Sequence, residues 1–144
     1  MREIIFRAKT LRAGKRSKWI YGSMDCNKYT YKECRIVSKD DPVQYWYTVD
    51  RQTVGQYTGL KDKKGVEIYE GDILKYAGGG IYIVVYGEMM IMCPQDNIEM
   101  PSPGYYGILI GDGTKELCPL GVTQRLAKII GNIYDNPELL KAGD

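Results

Sequence analysis

Thr53-Val54-Gly55-Gln56-Tyr57-Thr58-Gly59-Leu60, Lys61-Asp62-Lys63-Lys64-Gly65 and Val66-Glu67-Ile68-Tyr69-Glu70-Gly71-Asp72-Ile73-Leu74-Lys75-Tyr76 follow one another without a gap, and their reading decides the fold. Apolar and polar residues alternate over short runs, the period of a strand with one face in a core. Gly65 ends a Lys-rich tip, where a hairpin needs positive φ and a β-carbon would clash. Gly71-Asp72 makes a second tight turn that feeds Ile73 and Leu74 into the next strand. Gly55, Gly59, Gly65, Gly71 and Asp72 therefore read as turn residues, and Val54, Leu60, Ile68, Ile73 and Leu74 as the core between them.

Moving towards the C-terminus, Gly78-Gly79-Gly80 leads into Ile81-Tyr82-Ile83-Val84-Val85-Tyr86, the most β-prone run of the chain. Short strands separated by glycine turns predict a small barrel or sandwich. Met89-Met90-Ile91-Met92-Cys93 is apolar on both faces, which a half-exposed barrel strand is not. Such a run belongs either inside a core or under another copy of the chain. Residues 95–104, with Pro101, Pro103 and Gly104, read as a long polar loop. Thr123 to Ile130 fits either an amphipathic helix or a strand, and the extended form is favoured because Gly131-Asn132-Ile133-Tyr134 continues it. Asn136-Pro137-Glu138 has the residues of a helix start, so a short terminal helix carrying Leu139 and Leu140 is expected to fold back onto the barrel.

Towards the N-terminus, Val43, Tyr45, Tyr47 and Val49 share one face of a strand that starts after the turn Asp40-Asp41-Pro42. Residues 25–42 are polar and irregular. Ile4, Phe6 and Ala8 alternate with Glu3, Ile5 and Arg7. With Trp19 and Tyr21 beyond an Arg12 to Lys18 loop, this predicts an opening hairpin. A boundary near Asp50 divides the expectation into a β-rich subdomain over residues 1–50 and a small β-barrel domain over residues 51–144. The fold class expected is mostly β with minor α.

Composition agrees. The chain has 144 residues, 44% hydrophobic and 26% charged, with 13 tyrosines against one phenylalanine. Tyrosine favours half-buried strand surfaces. No run approaches the roughly 18 apolar residues of a membrane-spanning helix, and Met1-Arg2-Glu3-Ile4-Ile5-Phe6-Arg7 lacks the unbroken apolar core of a secretory signal. A cytoplasmic protein is expected. Cys26, Cys34, Cys93 and Cys118 contain no C-x-x-C pair, so reduced thiols are expected rather than a disulfide framework or an all-cysteine zinc site.

Several motifs together carry a family resemblance: Arg2-Glu3-Ile4 with Phe6-Arg7-Ala8, Trp19-Ile20-Tyr21-Gly22, Thr53 to Asp62, Glu67-Ile68-Tyr69-Glu70-Gly71-Asp72-Ile73, and Ile130-Gly131-Asn132-Ile133-Tyr134 with Asn136 to Leu140. In these the chain resembles the YopX family over its whole length. Lys9 departs from the pattern, which commonly has tryptophan there, and Met89 to Thr114 matches nothing fixed in it. The resemblance implies a phage- or prophage-associated protein with no cofactor and a C-terminal part similar to SH3-like barrels.

The chain has no histidine, which removes the commonest general base and the commonest nitrogen ligand for zinc. Ser–His and Cys–His nucleophile systems are thereby excluded within one chain. Gly78-Gly79-Gly80 and Gly111-Asp112-Gly113-Thr114 lack the Lys-Ser/Thr of a P-loop. Glu67, Glu70 and Asp72 lie close in sequence, but alternation turns Glu67 to solvent and Asp72 suits a turn. No catalytic residue, metal site or cofactor is expected. Two kinds of surface remain. Tyr45, Trp46, Tyr47, Met89, Met90, Met92, Tyr105 and Tyr106 suit a protein–protein contact, because aromatics and methionine dominate interface anchors. The partner would be a second copy of the chain or a host or phage protein. Arg7, Arg12, Lys15, Arg16 and Lys18 offer a basic strip for nucleic acid, or simply a charged hairpin edge.

Overall fold

A computed structural model describes residues 3–11, 16–25, 33–43, 45–111, 117–120 and 126–141. The chain is mostly β and forms two antiparallel sheets. Its strands are β1 (Phe6–Lys9), β2 (Trp19–Asp25), β3 (Glu33–Ser38), β4 (Trp46–Asp50), β5 (Gly55–Lys61), β6 (Glu67–Tyr69), β7 (Asp72–Tyr76), β8 (Ile81–Met92), β9 (Glu99–Leu109), β10 (Leu117–Pro119) and β11 (Ala127–Asn132). One sheet has the order β4-β3-β2-β1-β5-β6, the other β10-β9-β8-β7-β11. The chain divides into two compact units, Met1–Gly59 and Leu60–Asp144.

In the first unit the opening hairpin forms as the alternation requires, with Phe6 opposite Gly22 and Lys9 opposite Trp19. Its core gathers Ala8, Ile20, Cys34, Ile36 and Val49, with Phe6, Met24, Tyr47 and Val54 packed against them. Residues 25–42, expected to be irregular, contain β3, which lies between β2 and β4. The reason is a short period-2 pattern: Cys34, Ile36 and Ser38 turn inward while Arg35 and Val37 are half-buried. The expected division near Asp50 is crossed by structure of the first unit. The 3-10 turn Arg51–Thr53 follows β4 directly, the Lys9 amide donates to Thr53 Oγ1 at 2.9 Å, and β5 pairs with β1 at Phe6–Gln56 and Arg7–Gly55.

The second unit has its own core of Ile68, Leu74, Val84, Leu120 and Ala127, with Leu60, Tyr76, Tyr105 and Ile129 against it. The Lys-rich tip is built as its residues demand. Gly65 has φ 82°, and Asp62 Oδ1 accepts from the Lys64 and Val66 amides at 2.8 and 3.0 Å. Asp62 Oδ2 accepts from the Ile129 amide at 3.0 Å, 67 residues away in sequence. Burial acts to raise the Asp62 carboxyl, but the Ile129, Val66 and Lys64 amides and the Lys64 charge outweigh it and hold the group below its ordinary value. At the next turn Gly71 has φ 88°, and the Tyr69 amide donates to Asp72 Oδ2 at 2.8 Å.

Three expectations are corrected here. The strands of the second unit do not close into a barrel, because β10 and β11 end the sheet as its two edges and β8 and β9 run on past it rather than curling round. The terminal helix is a 3-10 segment, Pro137–Lys141, with no buried residue, and Leu139 and Leu140 are only half-buried. Residues 99–104 are not loop but strand, paired through Met92–Glu99 to Gly87–Gly104. The extended reading of Thr123 to Ile130 holds from Ala127 in β11, which pairs with β7 from Ala127–Tyr76 to Asn132–Asp72, while residues 123–125 lie outside the described residues.

Candidate functional site

The feature with functional geometry is the far half of the β8–β9 hairpin. β7 reaches β8 only at Ile81 to Ile83, with one further bond from the Gly71 amide to the Val84 carbonyl at 2.9 Å. Among the described residues β10 pairs with β9 at Tyr106 to Ile108. Beyond those contacts the two strands continue as a two-stranded arm, in register from Tyr86–Tyr105 to Met92–Glu99. The turn at its end is closed by the Cys93 amide donating to the Ile98 carbonyl and the Asn97 amide to the Cys93 carbonyl, each at 2.9 Å. Asn97 sits at φ 54°, a conformation asparagine tolerates better than most residues.

Both faces of this arm carry apolar side chains, one of them together with Glu88 and Glu99. Tyr86, Met90 and Met92 project from one face, and Met89 and Ile91 from the other, with Met100 opposite Ile91. Met90 is 54% exposed, Met92 53% and Ile98 61%, so the run is not buried within its own chain. A two-stranded ribbon is marginal in water without packing on one face, and exposed apolar strands of this kind mark contact surfaces. The charge of the segment is one-sided: residues 81–111 hold Glu88, Asp96 and Glu99 and no lysine or arginine.

The two edges of the arm differ in a way fixed by the register. The Val84 carbonyl faces away from β9, whereas the Ile81 carbonyl accepts from Ile110 and the Cys93 amide donates to Ile98, both across the hairpin. Odd-numbered residues of β8 therefore bond β9, and Tyr86, Glu88, Met90 and Met92 turn their N–H and C=O groups outward. On β9 the outward positions include Pro101 and Pro103, opposite Met90 and Glu88. Proline is tolerated there because it removes no bond of the hairpin.

Of the other expected contact residues, Tyr105 packs on the second core and meets Tyr86 edge-on at 5.3 Å between ring centres. Tyr106 is buried, its hydroxyl donating to the Ser102 carbonyl. Tyr45 and Trp46 are exposed, but Trp46 carries Arg35 over its ring at 4.7 Å. The Tyr47 hydroxyl donates to Asp41 Oδ2 at 3.0 Å, and Lys18 lies 4.9 Å from its ring centre. Of the expected basic strip, three residues are described. Arg7 is buried in β1 and stacks on Trp19 at 4.6 Å. Arg16 and Lys18 are exposed, and Arg12 and Lys15 lie outside the described residues. Gly55 and Gly59 fall within β5, Gly59 with φ 84°.

Sequence reasoning missed Tyr86, Ile98 and Met100. The signal was available in the alternation Ile98-Glu99-Met100, which the two following prolines masked. Among the described residues no group of three or more cysteine, aspartate or glutamate side chains is placed to hold a metal ion. Cys34 is buried, while Cys93 and Cys118 are half-buried; Cys26 lies outside the described residues. No helix is long and apolar enough to cross a membrane among them.

The family model described as YopX protein matches residues 5–141. No curated protein matches the chain.

Proposed function

The chain belongs to the YopX family, and from that premise we propose that it is a non-enzymatic protein–protein interaction or regulatory module whose contact surface is the β8–β9 arm. The observation that carries the reading is the exposure of Met90, Ile91, Met92, Ile98 and Met100 on a ribbon that leaves its sheet. Such side chains lose their contact with water only against another surface, and methionine adapts to the surface it meets. The setting proposed is the bacterial cytoplasm, in a phage- or prophage-encoded role.

Binding of nucleic acid through the basic residues is the weaker reading, since Arg7 is stacked inside its sheet and the arm itself is acidic. The test is a Met90→Glu, Met92→Glu double variant. It is expected to keep the wild-type thermal transition, because both side chains are in solvent, and to lose association with itself or its protein partner. Loss of folding in that variant, or unchanged association, overturns the reading. A labelled oligonucleotide bound equally by both proteins, with no protein association in either, would favour the basic surface instead.

A further inference from the structure

Resting on that reading of the arm, we infer that its partner is a second copy of this chain, joined edge to edge by strand addition along β8. Tyr86, Glu88, Met90 and Met92 present a complete row of outward donors and acceptors that no strand covers among the described residues. Such a row is a template for another extended strand. The opposite edge of the arm offers no equivalent, because Pro101 and Pro103 lack N–H groups at two of its outward positions. One open edge and one blocked edge specify a pair of chains rather than a fibre.

The register follows from the residues. Antiparallel pairing of β8 with itself about a two-fold axis at Met89 sets Tyr86 against Met92 of the partner subunit and Glu88 against Met90 of the partner subunit. All four outward residues are then used twice. An axis at Glu88 would oppose two like charges. An axis at Ile91 would run Glu88 against Pro94 of the partner subunit, which has no donor. An axis at Gly87 would require the Val84 carbonyl, already occupied by the Gly71 amide. The Met89 axis also places Ile91 of the partner subunit opposite Gly87, where the nearest side chain is the apolar Leu117, 3.5 Å from where a β-carbon would stand. Tyr86 beside a methionine gives a sulfur–aromatic contact, a pairing that is favourable at such edges. The result is a closed, isologous ribbon of strand order β9-β8-β8-β9.

The experiment compares wild type with Met90→Pro by light scattering at micromolar concentration. Residue 90 turns its N–H away from β9, an outward position like those that Pro101 and Pro103 occupy on β9, so proline there removes an edge donor and no bond of the hairpin. Wild type is expected at twice the 16.4 kDa chain mass, and Met90→Pro at the chain mass with an unchanged far-ultraviolet strand signal. Amide exchange of the wild type gives an independent readout. The amides of Tyr86, Glu88, Met90 and Met92 should be protected at high concentration and lose that protection on dilution, even if the proline variant fails to fold. A wild-type monomer overturns the second copy as partner and leaves the arm as a surface for a different protein, which the Met90→Glu, Met92→Glu variant then tests. A dimer that survives Met90→Pro with those four amides exchanging fast overturns both readings together. Open-ended assemblies in wild type overturn the blocked edge.

Discussion

Asp62 does more for the second unit than its place in a Lys-rich turn suggests. One carboxylate oxygen holds the tip through Lys64 and Val66, and the other holds β11 through Ile129. Both oxygens accept, so asparagine cannot substitute: its amide group would face an N–H donor on one side. Asp62→Asn is expected to cost about 1–3 kcal/mol, the scale for a buried hydrogen bond to a charged group left unmade, and denaturant titration at neutral pH measures it. Because the folded carboxyl sits below its ordinary value of 3.8, its stabilising contribution is complete above that value and is lost as pH falls through the lower, folded one. The wild type should therefore lose stability on acidification by an increment that Asp62→Asn lacks. Half of this role was legible beforehand. The turn at Gly65 follows from residue type alone, but no local pattern announces a bond between residues 67 apart in sequence.

At the scale of elements, β9 shows where sequence reading stopped. Two prolines within three residues argue for a loop when their surroundings are unknown. Only the register reveals that both sit where their missing N–H groups face outward. β3 was lost for the related reason that its inward residues are few and flanked by polar chain, whereas β6 and β7 were plain because glycine marks their ends and Ile68, Ile73 and Leu74 fix their inner face. The apolar run at Met89 was visible as an anomaly, and its exposure could not be, since burial in the same chain satisfies the same pattern. The prolines also carry a prediction. Replacing Pro101 and Pro103 together by threonine restores two outward donors while keeping every bond of the hairpin, so the arm gains a second usable edge. Light scattering should then show species larger than a dimer that grow with time, and the same change in a Met90→Pro background should slow that growth.

For the whole chain, charge and cores pull on different properties. The net charge is +2 and the isoelectric point about 8.2, so near pH 8 little electrostatic repulsion keeps copies apart. In the proposed dimer, association through the arm rests on main chain and apolar side chains rather than ion pairs, and its acidic groups give no attraction to lose. Dimer mass should consequently stay constant from low salt to about 0.5 M salt, where the Debye length is only a few ångströms; light scattering across that range checks it. A salt-dissociated dimer would point to the basic N-terminal residues instead. Core side chains follow from periodicity in both units, but the strand order does not, because β7 takes as one neighbour a strand from the far end of the chain. That placement matters while the protein is being made. When the ribosome has finished the arm, β11 has yet to emerge, so one edge of β7 stands open and Asp62 lacks its third amide. In the proposed dimer the pairing ribbon is thus complete in sequence before β11, and a chain that stops short of Ala127 would carry it on a sheet without one edge strand.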